Sequence, residues 1–379
     1  MSGNPAARGY NKATVLDAVL SEAPLTRNRV IELTRLSQAT VSRKVEELLF
    51  DGFVVEQGVD EVVGRGRPST YLDVPRTVGH IVGISFGAQT TCVLVTDLRG
   101  REIAHVIVPS IEGAGIETTA KWLAGLVAGT TQPPEGPLRQ VVVAMPGRLR
   151  NGAAAQVTPE PLKIFLGSLF QNAVESRVKA PVLLDSDANA SLRGILKDDA
   201  HIGNAALFLL SSALNFASCT DHEIAQGRTP AFGDLGVLSS GVGSETLDGL
   251  MSGKGLLRFA QGRGLDLERV DALWSEPQDA PSRAIVAEAF TTAIVTAVSA
   301  VAVTLDPESV YFAGRLSPLV EEVLPEARRR LAQRLPSAPE ISVVPQVIGL
   351  SVARGAAYAG LVLAQARLRE SILGSQDAN

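Results

Sequence analysis

In the first part of the chain, apolar residues recur at helical spacing. Val15, Leu16, Val19 and Leu20 form one stripe, which Pro24 ends. Thr26 is placed to cap a second helix carrying Val30 and Leu33, and Leu36 falls in the turn after it. A third helix is predicted between Ser37 and Gly52. Ser37 can accept a hydrogen bond from a first-turn amide, Val41, Val45, Leu48 and Leu49 share one face, and Gly52 suits the left-handed residue that ends a helix. Helix, helix, tight turn and helix with facing apolar stripes is the helix-turn-helix pattern. Phe53–Val55 and Tyr71–Val74 then read as two short strands around a polar loop, the hairpin wing of a winged helix-turn-helix.

After a junction at Pro75–Gly79 the texture changes. Apolar strand-length runs occupy 81–86, 92–96, 101–108, 140–144, 182–184, 205–210 and 309–313, with Asp97–Gly100 as a hairpin turn between the second and third. A long apolar helix ends at Leu305, and a final helix over Ser351–Arg369 is rich in Ala and Gly. Hairpins first and crossover helices later predict an α/β chain with a mixed sheet, built twice over. The expected division is a DNA-binding domain over 1–76 and a larger α/β domain over 80–379.

Composition narrows the class. The chain has 379 residues, 45% of them hydrophobic and 20% charged, as expected for a globular protein of two or three domains. The apolar run Ala289–Leu305 is short for a bilayer and carries several Thr and Ser residues, so a buried helix is expected there. No secretory leader is legible in the first ten residues, and Cys92 and Cys219 cannot form a disulfide framework or a cysteine-rich metal site. These features predict a cytoplasmic protein. His80, His105, His201 and His222 are scattered without metal-ligand spacing.

The formal charge of −5 is unevenly spread. Residues 1–76 hold ten basic and ten acidic side chains, so the remainder carries the excess. Within 27–44, Arg27, Arg29, Arg35, Arg43 and Lys44 face only Glu32. A local cationic patch on an acidic protein favours a polyanion at that patch. Gln38, Thr40, Ser42, Arg43 and Lys44 are expected on the polar side of the third helix, where short donors, acceptors and cations suit base edges and phosphates. Arg65 and Arg67, in Gly64-Arg65-Gly66-Arg67-Pro68, can enter a minor groove or clamp phosphates. Alone, each feature also fits an ordinary amphipathic surface helix or a solvated loop. Their order favours double-stranded DNA as the partner.

Five segments in order resemble the ROK (repressor, open reading frame, kinase) family: VGISFGAQTTCVLVTDLRG from Val82, VVVAMPG from Val141, DSDANA from Asp185, AFGDLG from Ala231 and VYFAGRLSP from Val310. With the N-terminal domain, the whole chain resembles the family's transcription-factor branch. The resemblance implies an actin-like, ribonuclease-H-like two-lobed domain with a sugar cleft, preceded by an all-α winged helix-turn-helix domain. It also implies a homodimer or homotetramer whose ligand alters the spacing of the winged helices.

This chain departs from the family's kinases at the nucleotide side. Ser85 stands where they carry an Asp, their Gly-Gly-Thr turn becomes Gly87-Ala88-Gln89-Thr90, and their second phosphate loop becomes Ser211-Ser212-Ala213. The family's zinc set is also missing: Val237 replaces its His, and no Cys follows. No metal, no cofactor and no enzyme activity are therefore expected. On the sugar side, the resemblance carries ligand-binding roles over to Gly147, Asp187, Asn189 and Asp234, and to Glu160 where the family has an Asn. Asp187 falls on the family's catalytic base, although a helix N-cap is an equally good reading of its place. The expected function is a DNA-binding regulator, a repressor, that senses a sugar or sugar-derived ligand without phosphotransfer. The alternatives are a sugar kinase with an accessory DNA-binding domain, and a ligand-independent regulator whose ROK part only dimerises.

Overall fold

The computed structural model describes residues 5–59, 70–111, 113–131, 136–150, 153–157, 160–199, 201–229, 231–277, 279–344 and 349–374. The chain opens with a head: α1 (Pro5–Glu22), β1 (Leu25–Thr26), α2 (Arg27–Thr34), α3 (Gln38–Phe50), β2 (Val55–Val59) and β3 (Thr70–Asp73). Both expected caps form. The Thr26 hydroxyl accepts from the Arg29 amide at 3.3 Å and Ser37 from the Thr40 amide at 3.2 Å. Each satisfies an amide that a first helical turn leaves unpaired. Gly52, at φ +76°, follows α3 in the left-handed region. The head is not all-α: β2 and β3 pair antiparallel, and β1 adds a third strand against β3.

The body continues with β4 (His80–Phe86), β5 (Thr90–Asp97), β6 (Glu102–Pro109), α4 (Ile116–Thr130), β7 (Leu138–Met145), β8 (Gly147–Arg150), β9 (Ala153–Val157), α5 (Leu169–Val178), β10 (Val182–Ser186) and α6 (Asp187–Asp198). A second set follows: β11 (Ala205–Leu210), β12 (Leu214–Thr220), β13 (Glu223–Ile224), α7 (Leu247–Met251), α8 (Gly253–Gln261), α9 (Ala272–Ser275), α10 (Ala280–Leu305), β14 (Ser309–Gly314), α11 (Ser317–Arg334), β15 (Glu340–Val343) and α12 (Leu350–Gly374).

The two five-stranded sheets share one plan. In β10-β7-β4-β5-β6 and in β13-β12-β11-β14-β15, an antiparallel meander of three strands continues into parallel strands on the other side of its first member. The parallel strands are apolar on both faces because helices cover both, and β4, β11 and β14 are buried along their whole lengths. By length and composition α10 could cross a membrane, but Phe290, Ile294 and Val298 lie in the core beside Phe208 and Phe312 of the second sheet. Cys92 and Cys219 are buried free thiols.

The last helix holds the parts together. Its first half packs on α6 and on β4 and β7, and Gly355 makes the close approach possible: a Cβ there would run into the Ala190 carbonyl oxygen of α6. Its second half enters the head. Leu361, Ala364, Leu368 and Ile372 share an apolar cluster with Val15, Leu16 and Val19 of α1, and Arg369 pairs with Asp17 at 3.3 Å. A second tie runs through the Asp97–Gly100 turn and the residue after it. Asp73 of β3 accepts from Arg101 at 2.8 Å and Arg99 at 3.3 Å, and Arg101 also donates to Asp97 at 2.6 Å.

Candidate functional site

Two surfaces carry the expected chemistry: the outer face of α3, and the cleft where the carboxyl ends of the parallel strands of both sheets meet. On α3, Gln38 and Arg43 are exposed, and Thr40 and Ser42 are half-buried. The Thr40 hydroxyl lies 2.9 Å from that of Ser37. Lys44 requires a correction. It is only 1% exposed, and its ammonium is held by the Glu47 carboxylate at 2.7 Å and 2.8 Å. The cause is helical geometry: position 44 lies three residues after Val41 and four before Leu48, within the apolar stripe rather than opposite it.

The cationic patch is likewise smaller than its residue count. Arg27 is held by Glu46 at 2.7 Å and Glu56 at 2.9 Å, and Arg29 by Glu22 and Glu32. Three of these acids lie outside the 27–44 window. Arg35, exposed with φ +55° at the end of α2, and Arg43, 4.0 Å from Glu47, are the more available charges. Arg65 and Arg67 lie outside the described residues.

In the cleft, β7 delivers Pro146 and Gly147, β10 delivers Ser186, α6 starts with Asp187, β11 leads into Ser211-Ser212-Ala213, and β14 ends in Gly314. Strand carboxyl ends are where open α/β sheets present ligand sites. Ser186, not Asp187, caps α6, its hydroxyl accepting from the Asn189 amide at 3.0 Å. That leaves the Asp187 carboxylate to accept from the Ala188 amide at 2.8 Å and from Asn215 at 3.3 Å and 3.4 Å. Burial is the main cause that pushes Asp187 up to about 7, and nearby Asp185 adds to it. The Ala188 amide and Asn215 pull the other way. Asp185 is itself paired with Arg193.

Gly147, Asn189 and Asp234 come together around Arg148 and Asn215. One recess holds Asn189, and a cavity of about 410 Å³ beside it holds Asp234, Gln156 and Asp248. Asp234 is engaged: Arg148 donates to it at 2.7 Å and to Gln156 at 2.9 Å. Glu160 opens a 3-10 turn, Glu160–Phe165. Arg148, Gln156, Asn215 and Asp248 are cleft residues that sequence reasoning missed. Only Arg148 left a signal, standing directly after the Met145-Pro146-Gly147 turn.

The nucleotide side is a cavity of about 600 Å³ between the Gly87–Thr90 turn, Ser211-Ser212 and Gly253-Lys254, with Ser85 and Asp187 in its wall. A Ser hydroxyl there cannot do a carboxylate's work of organising Mg²⁺, so the residues present do not fit a metal–nucleotide complex of the usual kind. At the zinc position Val237 is 67% exposed, and among the described residues no group of three or more His, Cys, Asp or Glu is placed to hold a metal ion. These residues do not fit zinc either.

A xylose repressor of Caldicellulosiruptor bescii is 27% identical over 198 residues, 51% of this chain and 49% of that protein. A xylose repressor of Bacillus subtilis is 26% identical over 187 residues, 48% of each. A transcriptional regulator of Mycobacterium tuberculosis is 37% identical over 103 residues, 27% of this chain and 24% of its own. The chain spans about half the length, or less, of these curated relatives. Among solved structures, a ROK family transcriptional regulator described as a homologue of the E. coli MLC protein superposes with a TM-score of 0.71 at 16% identity, covering 98% of this chain and 99% of that one. A ROK glucokinase from Streptomyces griseus, in complex with glucose and AMPPNP, superposes with a TM-score of 0.59 at 20% identity, covering 74% and 99%. These likenesses are of fold. The ROK family profile itself matches residues 81–366, most of the chain, and the protein therefore belongs to the ROK family.

Proposed function

We propose that this protein is a DNA-binding transcriptional regulator, of the repressor kind, that responds to a sugar or sugar-derived ligand and does not transfer phosphate. Residues 1–76 read an operator and residues 80–379 sense and dimerise, so that two α3 helices address a pseudo-palindromic site. The carrying observation is the exposed start of α3, with Gln38 and Arg43 in water, on a head docked to the last helix of the ligand-sensing body. Gln38, Thr40, Ser42 and Arg43 form the base- and phosphate-facing set, with Arg65 and Arg67 as wing contacts. Lys44 is left out because it is buried. Gly147, Glu160, Asp187, Asn189 and Asp234 form the ligand set, extended by Arg148 and Asn215. The names of the relatives support a regulator, and their xylose repressors support a sugar as effector. A cytoplasmic location follows from the same reading.

The Arg148–Asp234 ion pair suggests how a ligand acts. Arg148 stands on β8, after the first sheet, and Asp234 in the loop after β13, so their bond crosses the cleft. A hydroxylated ligand that takes as acceptor Asp234 Oδ1, the oxygen that Arg148 holds, must displace this bond. It thereby gains different affinity for the two lobe arrangements, the requirement for shifting them.

One observation favours a second reading, residual kinase activity: Asp187, with its raised pKa, sits in the wall of the nucleotide-side cavity. Two measurements decide. Gel shift against genomic fragments should show tight binding that Arg43→Ala weakens, and equal affinity in wild type and variant would remove the DNA reading. An ADP-release assay over a hexose panel should show no turnover, and sustained turnover abolished by Asp187→Asn would establish the kinase.

A further inference from the structure

A separate cavity of about 360 Å³ opens between the Asp97–Gly100 turn, α6 and the first half of α12, and it shares no lining residue with the cleft. Leu94, Ile195, Ala357 and Leu361 give it apolar walls. Three of its lining residues, Thr96, Ser191 and Ser351, hold buried hydroxyls without a hydrogen-bond partner. Thr96 and Ser191 are each only 5% exposed. Such groups are normally satisfied, because leaving one unmade costs about 1–3 kcal/mol. Of the eight unpartnered buried side-chain atoms among the described residues, three gather here. The volume and the largely apolar lining match those of small-molecule sites.

Charge at the cavity selects the ligand class. Lys197, Arg354, Glu102 and Asp198 contribute two charges of each sign. Glu102 is held by His105 at 2.7 Å and by Arg354 at 3.5 Å. Lys197 lies 5.4 Å from the Tyr358 ring centroid, and neither it nor Asp198 has an ion-pair partner among the described residues. Lys197 and Asp198, consecutive and exposed at the end of α6, put one cation and one anion without an ion-pair partner among the described residues at the lining of an apolar cavity, which complements a molecule with both charges on an apolar body. We propose that this cavity is a second effector site that takes a small amphipathic zwitterion, an apolar amino acid or a compound of the same charge pattern.

The location gives the site its use. Two of its walls touch the two ties between body and head. Gly100 is in the Asp97–Gly100 turn and Thr96 and Glu102 are beside it, where Arg99 and the following Arg101 hold Asp73, and Leu361 belongs both to this cavity and to the cluster that packs α12 on α1. Occupation would stiffen both ties whether or not the cleft binds a sugar.

The test uses the full chain and three probes with one apolar body: L-phenylalanine, 3-phenylpropanoate and phenethylamine, followed by titration calorimetry and saturation-transfer NMR. L-phenylalanine should bind saturably with a Kd at or below about 1 mM, at least about tenfold tighter than either singly charged analogue. Lys197→Gln and Asp198→Asn, both at exposed positions, should each weaken it about tenfold, and Ile195→Trp, which fills the cavity, should abolish it. Hydrogen exchange along 361–374 should slow when L-phenylalanine is bound. No saturable binding up to about 10 mM, equal binding by a singly charged analogue, or unchanged affinity in Lys197→Gln would overturn the proposal. If Ile195→Trp does not fold, the two charge variants still decide it.

Discussion

Asp187→Asn gives a quantitative test of the cleft. The carboxyl is 7% exposed, and burial raises it from 3.8 to about 7. A group with a raised folded-state pKa favours folding below its unfolded value and loses that contribution as pH rises through the folded value. Wild-type protein should therefore lose stability from Asp187 between about pH 4 and 7, up to roughly 4 kcal/mol across the shift at 1.36 kcal/mol per unit. Asparagine mimics the neutral acid in shape, and its oxygen can still accept from the Ala188 amide. At pH 5, about one unit above the unfolded value, wild type has already lost roughly 1.6 kcal/mol of this, so the variant should lead there, and it should gain about 2–3 kcal/mol more on wild type by pH 8. Urea denaturation of both proteins at the two pH values measures this difference, and other titrating groups cancel between them. A wild-type-to-variant difference that stays constant from pH 5 to pH 8 would refute the buried, reluctantly charged Asp187.

Arg101→Ala should destabilise the head–body contact by about 1–3 kcal/mol, discounted because Arg101 is partly exposed, since Asp73 and Asp97 are left buried without it. Burial alone would raise Asp73, but Arg101, the Val74 amide and Arg99 bring it below its ordinary value, so wild type should lose this contribution in acid and the variant should not, as thermal melts at pH 7 and pH 3 will show. Gly355→Ala should cost at least about 3 kcal/mol in urea, because the new methyl meets backbone rather than a movable side chain. Glu47→Ala should destabilise the head more than Lys44→Met, because it leaves a buried ammonium unpaired, whereas methionine suits the apolar stripe.

The sequence carried the strands better than the helices. Buried parallel strands such as 205–210 and 309–313 are continuous apolar runs that nothing else explains. Helices α4, α5 and α11 were not assigned, because their apolar positions are diluted by Ala, Gly and charged residues. The β1 strand is two residues long and has no period to read. In the cleft, Asp187, Asn189, Gly147 and Asp234 were legible because each stands in a motif. Asn215 and Asp248 come from a strand start and a short helix, and only folding brings them to Asp187 and Leu214. Lys44 is buried because its position on the helix, between Val41 and Leu48, outweighs its charge. The ion pairs of Arg27 and Arg29 leave no local signal, because Glu22, Glu46 and Glu56 are near them in space but lie outside 27–44.

The most direct test of the whole account is selection of bound fragments from sheared genomic DNA by the purified protein, followed by footprinting, with wild type beside Gln38→Ala and Arg43→Ala. Each side chain contacting a base edge is worth about 1–3 kcal/mol. Wild type should enrich a two-fold symmetric sequence, and each variant should lose about five- to 150-fold in affinity for it. Failure to enrich any sequence, or equal enrichment by wild type and both variants, would contradict the claim that α3 reads DNA.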